Sequence, residues 1–371
     1  MEIGCLKFSL QNFDSKFHYV LFFMPLIGTV IPAYIYMFTI ILFMFFFYKR
    51  TIVLSDFVII SLFVSFFIFK SLQTSWGITE LLFRYFLGSV VSYYYFLFSR
   101  NSFNLRFLLL FFCISVIIEA VLINTCLPPS YWGNYPDLDE NVTHHTAFFG
   151  FYQRPYSVGC NATVSSTILC LILMLIESMK KNEGIVSIGK IEYFLSFIVV
   201  ILFASGTGLF LYLLFWMYKF NMFTKIKRVL YLILTLVIVF YIVTYASTLN
   251  SENIFSKISS DYLSFLFDFK KMQIEDTLYV LHKDSLLLGA NFPVKENYPL
   301  WNDFSLNDFI LSLGCCGSFF FLLFLVLKSN RINRPVIFCG VLGLLHYGGI
   351  FSMVGQLIFG YSLALREKKN L

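Results

Sequence analysis

Apolar runs separated by short polar connections recur along almost the whole chain. Many are long enough for a helix to cross a hydrocarbon core of ~30 Å, which takes about 20 residues. The pattern predicts apolar segments at about 17–31, 33–48, 52–70, 80–98, 107–123, 163–179, 191–204, 207–218, 229–247, 307–327, 335–346 and 348–364. Several neighbours are short, so the predicted count is ten to twelve helices. Two connections are much longer than the others, at about 124–162 and about 248–306. The first is dense in Pro, Gly, Asn, Asp and aromatic residues, a composition that favours ordered turns over helix. In the second, Ile254, Ile258, Tyr262, Phe265, Leu266 and Phe269 fall on one stripe and predict an interfacial helix over about 254–269. "SGTG" at 205–208 sits between two apolar segments and lacks a Walker lysine, so it predicts a tight turn rather than a phosphate loop.

Charge then orients the pattern, because short cytoplasmic connections collect Lys and Arg. Lys49-Arg50, Arg100 with Arg106, Lys180-Lys181 with Lys190, Lys219 through Arg228, Lys328 through Arg334 and Arg366 through Lys369 fall on one side under a twelve-span reading. Both termini are then expected in the cytoplasm and both long connections outside it. The net charge of +6 follows from this topology, so it gives no reason to expect nucleic-acid binding. Composition agrees: 58% of the 371 residues are hydrophobic and 13% charged, with a mean hydropathy of +0.78, which fits a single integral membrane domain over 1–371. The first apolar run lacks a small-residue cleavage site and is expected to remain as an anchor. The eight cysteines show no paired metal-ligand spacing; Cys126 and Cys160 fall in or near the first long connection, which leaves a disulfide between them open. "NVT" at 141 and "NAT" at 161 match the glycosylation pattern, the second almost at the membrane.

Several stretches occur in a telling order. "RPYSVGCN" feeds a helix, "ASGTGLFLYLLF" follows a short apolar segment, and "LLLGAN" precedes "WNDFSLNDFILSLGCCGSFFFLLF", which enters a helix with a Gly-rich turn. From about 75 to 360 this ensemble resembles the bacterial O-antigen polymerases (Wzy type) of the O-antigen ligase and polymerase superfamily. The resemblance implies an all-α, GT-C-like bundle in the bacterial inner membrane with two periplasmic loops. It also implies a glycosyltransferase that moves a growing glycan from undecaprenyl diphosphate to the non-reducing end of an incoming lipid-linked repeat unit. Neither cofactor nor metal is implied. The expected partners are the undecaprenyl-diphosphate-linked oligosaccharide and the lipid bilayer, with room for a chain-length regulator. An O-antigen ligase is the nearest alternative, and a polysaccharide flippase or secondary transporter is the alternative from another class.

A lipid diphosphate leaving group calls for a cation, and a guanidinium offers planar donors that stay protonated. Arg154 and Arg84 are the two arginines away from the basic connections. Pro155 biases Arg154 towards an extended backbone, while Gly159 and Asn161 lie where backbone amides could approach an anion at a helix start. A simpler role for Arg154 is snorkelling to headgroups, and for Arg84 a structural pair with Glu80 or Glu119. Lys283 is a further diphosphate contact, or half of a solvated pair with Asp284. In the related ligases a histidine is expected where the second loop enters its helix, but this chain reads "WNDFSLND" there. That departure points to a polymerase and leaves Asp303 as first and Asp308 as second candidate base, against the plainer role of acids at a helix start. His346, in "LLHYGG", lies where a short hairpin turns outward, as a site lining or as a hydrogen-bonded packing residue. Tyr131, Trp132, Tyr152, Tyr156 and Trp301 could stack on sugar rings or anchor at the interface.

Overall fold

The computed structural model describes residues 16–27, 38–42, 54–74, 87–99, 102–125, 146–147, 152–184, 188–222, 260–291 and 305–365. These residues are mostly helical. Among the described residues, four helices are long and apolar enough to cross a membrane: α1 (Leu54–Ser71), α3 (Leu105–Thr125), α4 (Ala162–Glu183) and α8 (Ser305–Lys328). Between and after them come α2 (Gly88–Ser99), α5 (Lys190–Phe203), α6 (Gly206–Lys219), α7 (Ser260–Lys283), α9 (Arg334–Gly343) and α10 (Met353–Ala364). The predicted segment at 229–247 lies outside the described residues. The expected helix at 254–269 is corrected: α7 runs on to Lys283, so the "LHK" read as loop forms the last helical turn. Charged residues after Phe269 broke the apolar stripe without breaking the helix.

Helix α4 is the axis of the bundle. Its whole apolar length, from Ala162 to Met179, is buried, and α3, α5, α6, α9 and α10 pack around it. Asn161 starts it as N-cap and Gly184, in the left-handed conformation at φ 67°, ends it. Small residues bring other helices close. Gly208 of α6 approaches Ser166 of α4, where an added Cβ would lie 2.5 Å from the Ser166 Cβ. Helix α2 runs parallel to α10, with Gly88 against Gln356 and Gly360 against Ser92, the small-residue packing typical of membrane helices. The turn expected at 205–208 lies one step earlier, at 204–205: Ala204 adopts φ 45° and Ser205 caps α6 by accepting a hydrogen bond from Gly208 N, while 206–208 form the first turn of α6.

The helix ends sort by charge. Arg106 at the start of α3 pairs with Glu192 at the start of α5, and Lys328 at the end of α8 pairs with Asp56 at the start of α1 at 3.2 Å. Lys181 near the end of α4 donates to Tyr218 O in the last turn of α6 and to Asn221 Oδ1 just after it, and Asn330 Nδ2 donates to Leu365 O after α10. One end of the bundle is therefore basic. At the other end lie the starts of α4, α6, α8 and α10.

Helix α8 is broken at Gly314, whose φ of 61° and ψ of −169° no helix contains. The segment 286–290 fills the break. Ala290 N donates to Leu311 O at 2.8 Å, while Cys315 N and Cys316 N donate to Leu286 O and Leu287 O at 3.0 Å each. Gly289, itself at φ 78°, meets Gly314 so closely that a Cβ on either would lie under 3 Å from the other's backbone. Lys70, near the end of α1 and fully buried, holds this segment by donating to Gly289 O, Ala290 O and Asn291 Oδ1 at 2.9, 2.9 and 3.0 Å. Exposed backbone is costly in a bilayer, and here carbonyls from another part of the chain satisfy it.

Candidate functional site

The turn that carries Arg154 is built from the end of α3 and the start of α4. A short antiparallel pair, β1 (Thr146–Ala147) with β2 (Tyr152–Gln153), leads into it. Asn124 then grips Gln153 from both sides, accepting from its N–H at 2.8 Å and donating to its carbonyl at 2.9 Å. Glu119, buried, accepts from Tyr156 N at 2.8 Å and from Ser157 N at 3.1 Å to each carboxylate oxygen. The Ser165 hydroxyl donates to Tyr156 O and accepts from Gly159 N at 2.9 Å. Ser157 and Cys160 take left-handed φ of 53° and 54°, a conformation that costs a non-glycine residue ~1–3 kcal/mol and persists only where surroundings impose it. Gly159 is required, because a Cβ there would lie 2.7 Å from Ser165 N.

Arg154 sits half-buried on this turn. Burial moves its guanidinium below the ordinary arginine value, and the Tyr347 hydroxyl acts in the opposite sense. An arginine shifted this way is still a cation near neutral pH. Burial, followed by the Glu119 charge, raises the neighbouring Tyr152 phenol and keeps it neutral.

Tyr347 belongs to the connection between α9 and α10, and that connection is tied to the start of α8. Ser305 N donates to His346 O at 2.9 Å, Leu306 N to Leu344 O at 3.0 Å, and Gly348 N to Ser305 Oγ at 2.7 Å. Gly349 presses on Thr167 in the second turn of α4, where a Cβ would lie 2.6 Å from the threonine Cβ. Asp308 is buried in the first turn of α8. The structure thus brings Arg154, His346 and Asp308 to one end of the bundle. Ser205 Oγ donates to Thr163 Oγ1 at 3.1 Å and adds the start of α6 to the group. Side chains cap α4, α6 and α10, and their aligned positive ends add to the arginine's field. Chemically this end of the bundle offers a cation, a carboxyl group and an imidazole.

Other expected site residues fare differently. Asn161 does not offer its side-chain oxygen to solvent or ligand: Oδ1 accepts from Thr163 N at 2.8 Å and Val164 N at 3.4 Å, so its part is helix capping. Lys283 is exposed in the last turn of α7, and the chain after it docks at 311–316 of α8, not at the Arg154 turn. Tyr156 is buried and presents no face to a sugar. Arg84, Glu80, Asp303, Tyr131, Trp132, Trp301 and Cys126 lie outside the described residues. Glu119 binds the Arg154 turn through its carboxylate, and its expected pairing with Arg84 lies outside the described residues. Sequence reasoning missed Asn124, Ser305 and Tyr347; Ser305 and Tyr347 stand inside the stretches "WNDFSLND" and "LLHYGG", whereas nothing singled out Asn124.

These features define a mostly helical membrane protein with a polar, partly cationic cluster at one end of its bundle. No family model, no curated protein and no solved structure matches the chain.

Proposed function

We propose that the protein polymerises lipid-linked polysaccharide repeat units at the outer face of the bacterial inner membrane. The growing glycan would pass from undecaprenyl diphosphate to an incoming repeat unit. The observation that carries this reading is a half-buried arginine on a rigid turn, at the end of the bundle opposite the basic connections, grouped with His346 and Asp308. By the bias of Lys and Arg towards the cytoplasm, that end faces outward. In this scheme Arg154 holds the diphosphate and offsets the charge that grows on it as the glycosidic bond breaks. Asp308 or His346 orients and deprotonates the attacking hydroxyl.

The broken helix favours a second reading. Discontinuous helices tied by polar contacts to a neighbouring element are common around transporter sites, so a flippase for the same lipid-linked unit is the competing function. Complementation separates the two. Arg154→Ala, at matched membrane levels in a strain deleted for the gene, should reduce the polysaccharide ladder on a gel to a single repeat unit that still reaches the surface. Loss of even that unit on deletion would favour the flippase; an unchanged ladder on deletion would defeat both readings.

A further inference from the structure

We infer that Glu119 and Asn124 are positioning residues that splint the Arg154 turn, so that the end of α3 sets the affinity of the site for a polyprenyl diphosphate. The inference rests on the diphosphate reading above. Five consecutive residues make the argument. Gln153 has its N–H and its carbonyl both bound by the Asn124 amide. Pro155 has a ring-fixed φ and no N–H to satisfy. Tyr156 N and Ser157 N both end on the Glu119 carboxylate. Arg154 is therefore bracketed one residue before and two residues after by side chains five positions apart on one helix, neighbours across little more than a turn.

The pairing explains two costs that packing alone does not. A carboxylate buried among apolar residues is expensive unless its oxygens are satisfied, and here they receive three backbone bonds. Ser157 holds a left-handed φ of 53° that its own side chain does not reward, since Ser157 Oγ is buried without a hydrogen-bond partner. The Glu119 bond to Ser157 N is what keeps that residue strained. Strain of this kind fixes a turn in one shape, and a fixed turn presents its guanidinium without an ordering cost at each binding event.

The test is a binding titration of farnesyl diphosphate to the purified full-length protein in detergent, with the thermal midpoint of each variant measured beside it. Wild type, E119A, E119Q, N124A and R154A are compared. Gln keeps a neutral acceptor oxygen at the reach of Glu, whereas Ala removes it. We expect E119A to weaken binding about tenfold or more, N124A about threefold, and E119Q to return binding to within about threefold of wild type, since each lost hydrogen bond is worth ~1 kcal/mol and a tenfold change 1.4. Thermal midpoints of N124A and E119Q should stay near wild type, which separates positioning from collapse of the fold. If N124A and E119A bind like wild type while R154A does not, the splint is overturned and the diphosphate reading survives. If E119Q is as weak as E119A, charge and not the acceptor geometry matters, and positioning is overturned. Should E119A fail to fold, N124A decides: wild-type affinity overturns the inference. R154A binding as tightly as wild type would remove the diphosphate reading and the splint with it.

Discussion

Replacing Lys70 by Met should unlatch the segment that fills the break in α8. Methionine keeps most of the lysine's length and volume, so the cavity contribution is small and the change isolates the ammonium. Three hydrogen bonds disappear, to Gly289 O, Ala290 O and Asn291 Oδ1. Asn291 is half-buried and can turn to water, but Gly289 and Ala290 are buried, and their carbonyls keep no replacement for the ammonium. Leaving a buried acceptor unsatisfied costs ~1–3 kcal/mol, so the two carbonyls together lose about 4 kcal/mol. Sparing the desolvation of a buried cation returns some of this, leaving about 3 kcal/mol against the closed segment. At 1.4 kcal/mol per decade, its opening equilibrium should rise about 100-fold. Hydrogen exchange read by mass spectrometry reports it directly, because the amides of Gly289, Ala290, Asn291, Cys315 and Cys316 are all bonded within this lock. Peptides covering 285–291 and 311–317 should exchange about two decades faster in the variant, while those around the Asp56–Lys328 pair stay unchanged. A change of less than about fivefold would refute the idea that Lys70 holds the segment shut.

Gly314→Ala should be far more damaging than an ordinary helix substitution: its Cβ would lie 2.3 Å from Gly289 N and 2.5 Å from Leu287 O, and a thermal midpoint close to wild type would argue that α8 is continuous. Ser157→Gly should stabilise the fold by about 1 kcal/mol by relieving the positive φ, read as a higher thermal midpoint. Arg154→Lys should keep part of the polymer ladder at neutral pH and lose it as pH rises. The burial that lowers Arg154 would lower a lysine from its usual value near 10.4, so the charged form is lost on the alkaline side, while the wild-type arginine gives a flat profile over the same range. Asp56→Ala and Lys328→Ala should prove non-additive, with a coupling of ~1–2 kcal/mol in a double-mutant cycle on thermal stability, because both partners are mostly buried.

The long spans were legible because apolar length is a strong and local signal. Segments expected at 52–70, 107–123, 163–179 and 307–327 appear as helices Leu54–Ser71, Leu105–Thr125, Ala162–Glu183 and Ser305–Lys328. The presentation of Arg154 by a turn also follows from the Arg-Pro step. Asn161 shows where a local signal was available and was given the wrong job: an asparagine just before an apolar run is a capping residue first. Glu119 was visible as a lone acid in an apolar helix, but its target is two backbone amides, and backbone amides carry no side-chain signature. Lys70 and the segment it holds lie about 220 residues apart, a pairing that no periodicity within either stretch could reveal. The Gly-rich turn expected after "WNDFSLND" falls within the helix, where two glycines and a loop from elsewhere in the chain make a break instead of an entrance.

The hairpin of α9 and α10 has a consequence for depth. Their 10 and 12 residues reach only about 15 and 18 Å at 1.5 Å per residue, half of a hydrocarbon core. Both helices start or end beside the basic connections, so by their own length they carry the turn bearing His346 and Tyr347 only about half of the way across such a core. On the proposed reading, a lipid-borne headgroup would descend towards that turn. A thicker membrane would lengthen the descent and a thinner one would shorten it. Turnover in vesicles of graded acyl-chain length should therefore vary with chain length even where the protein's own stability does not.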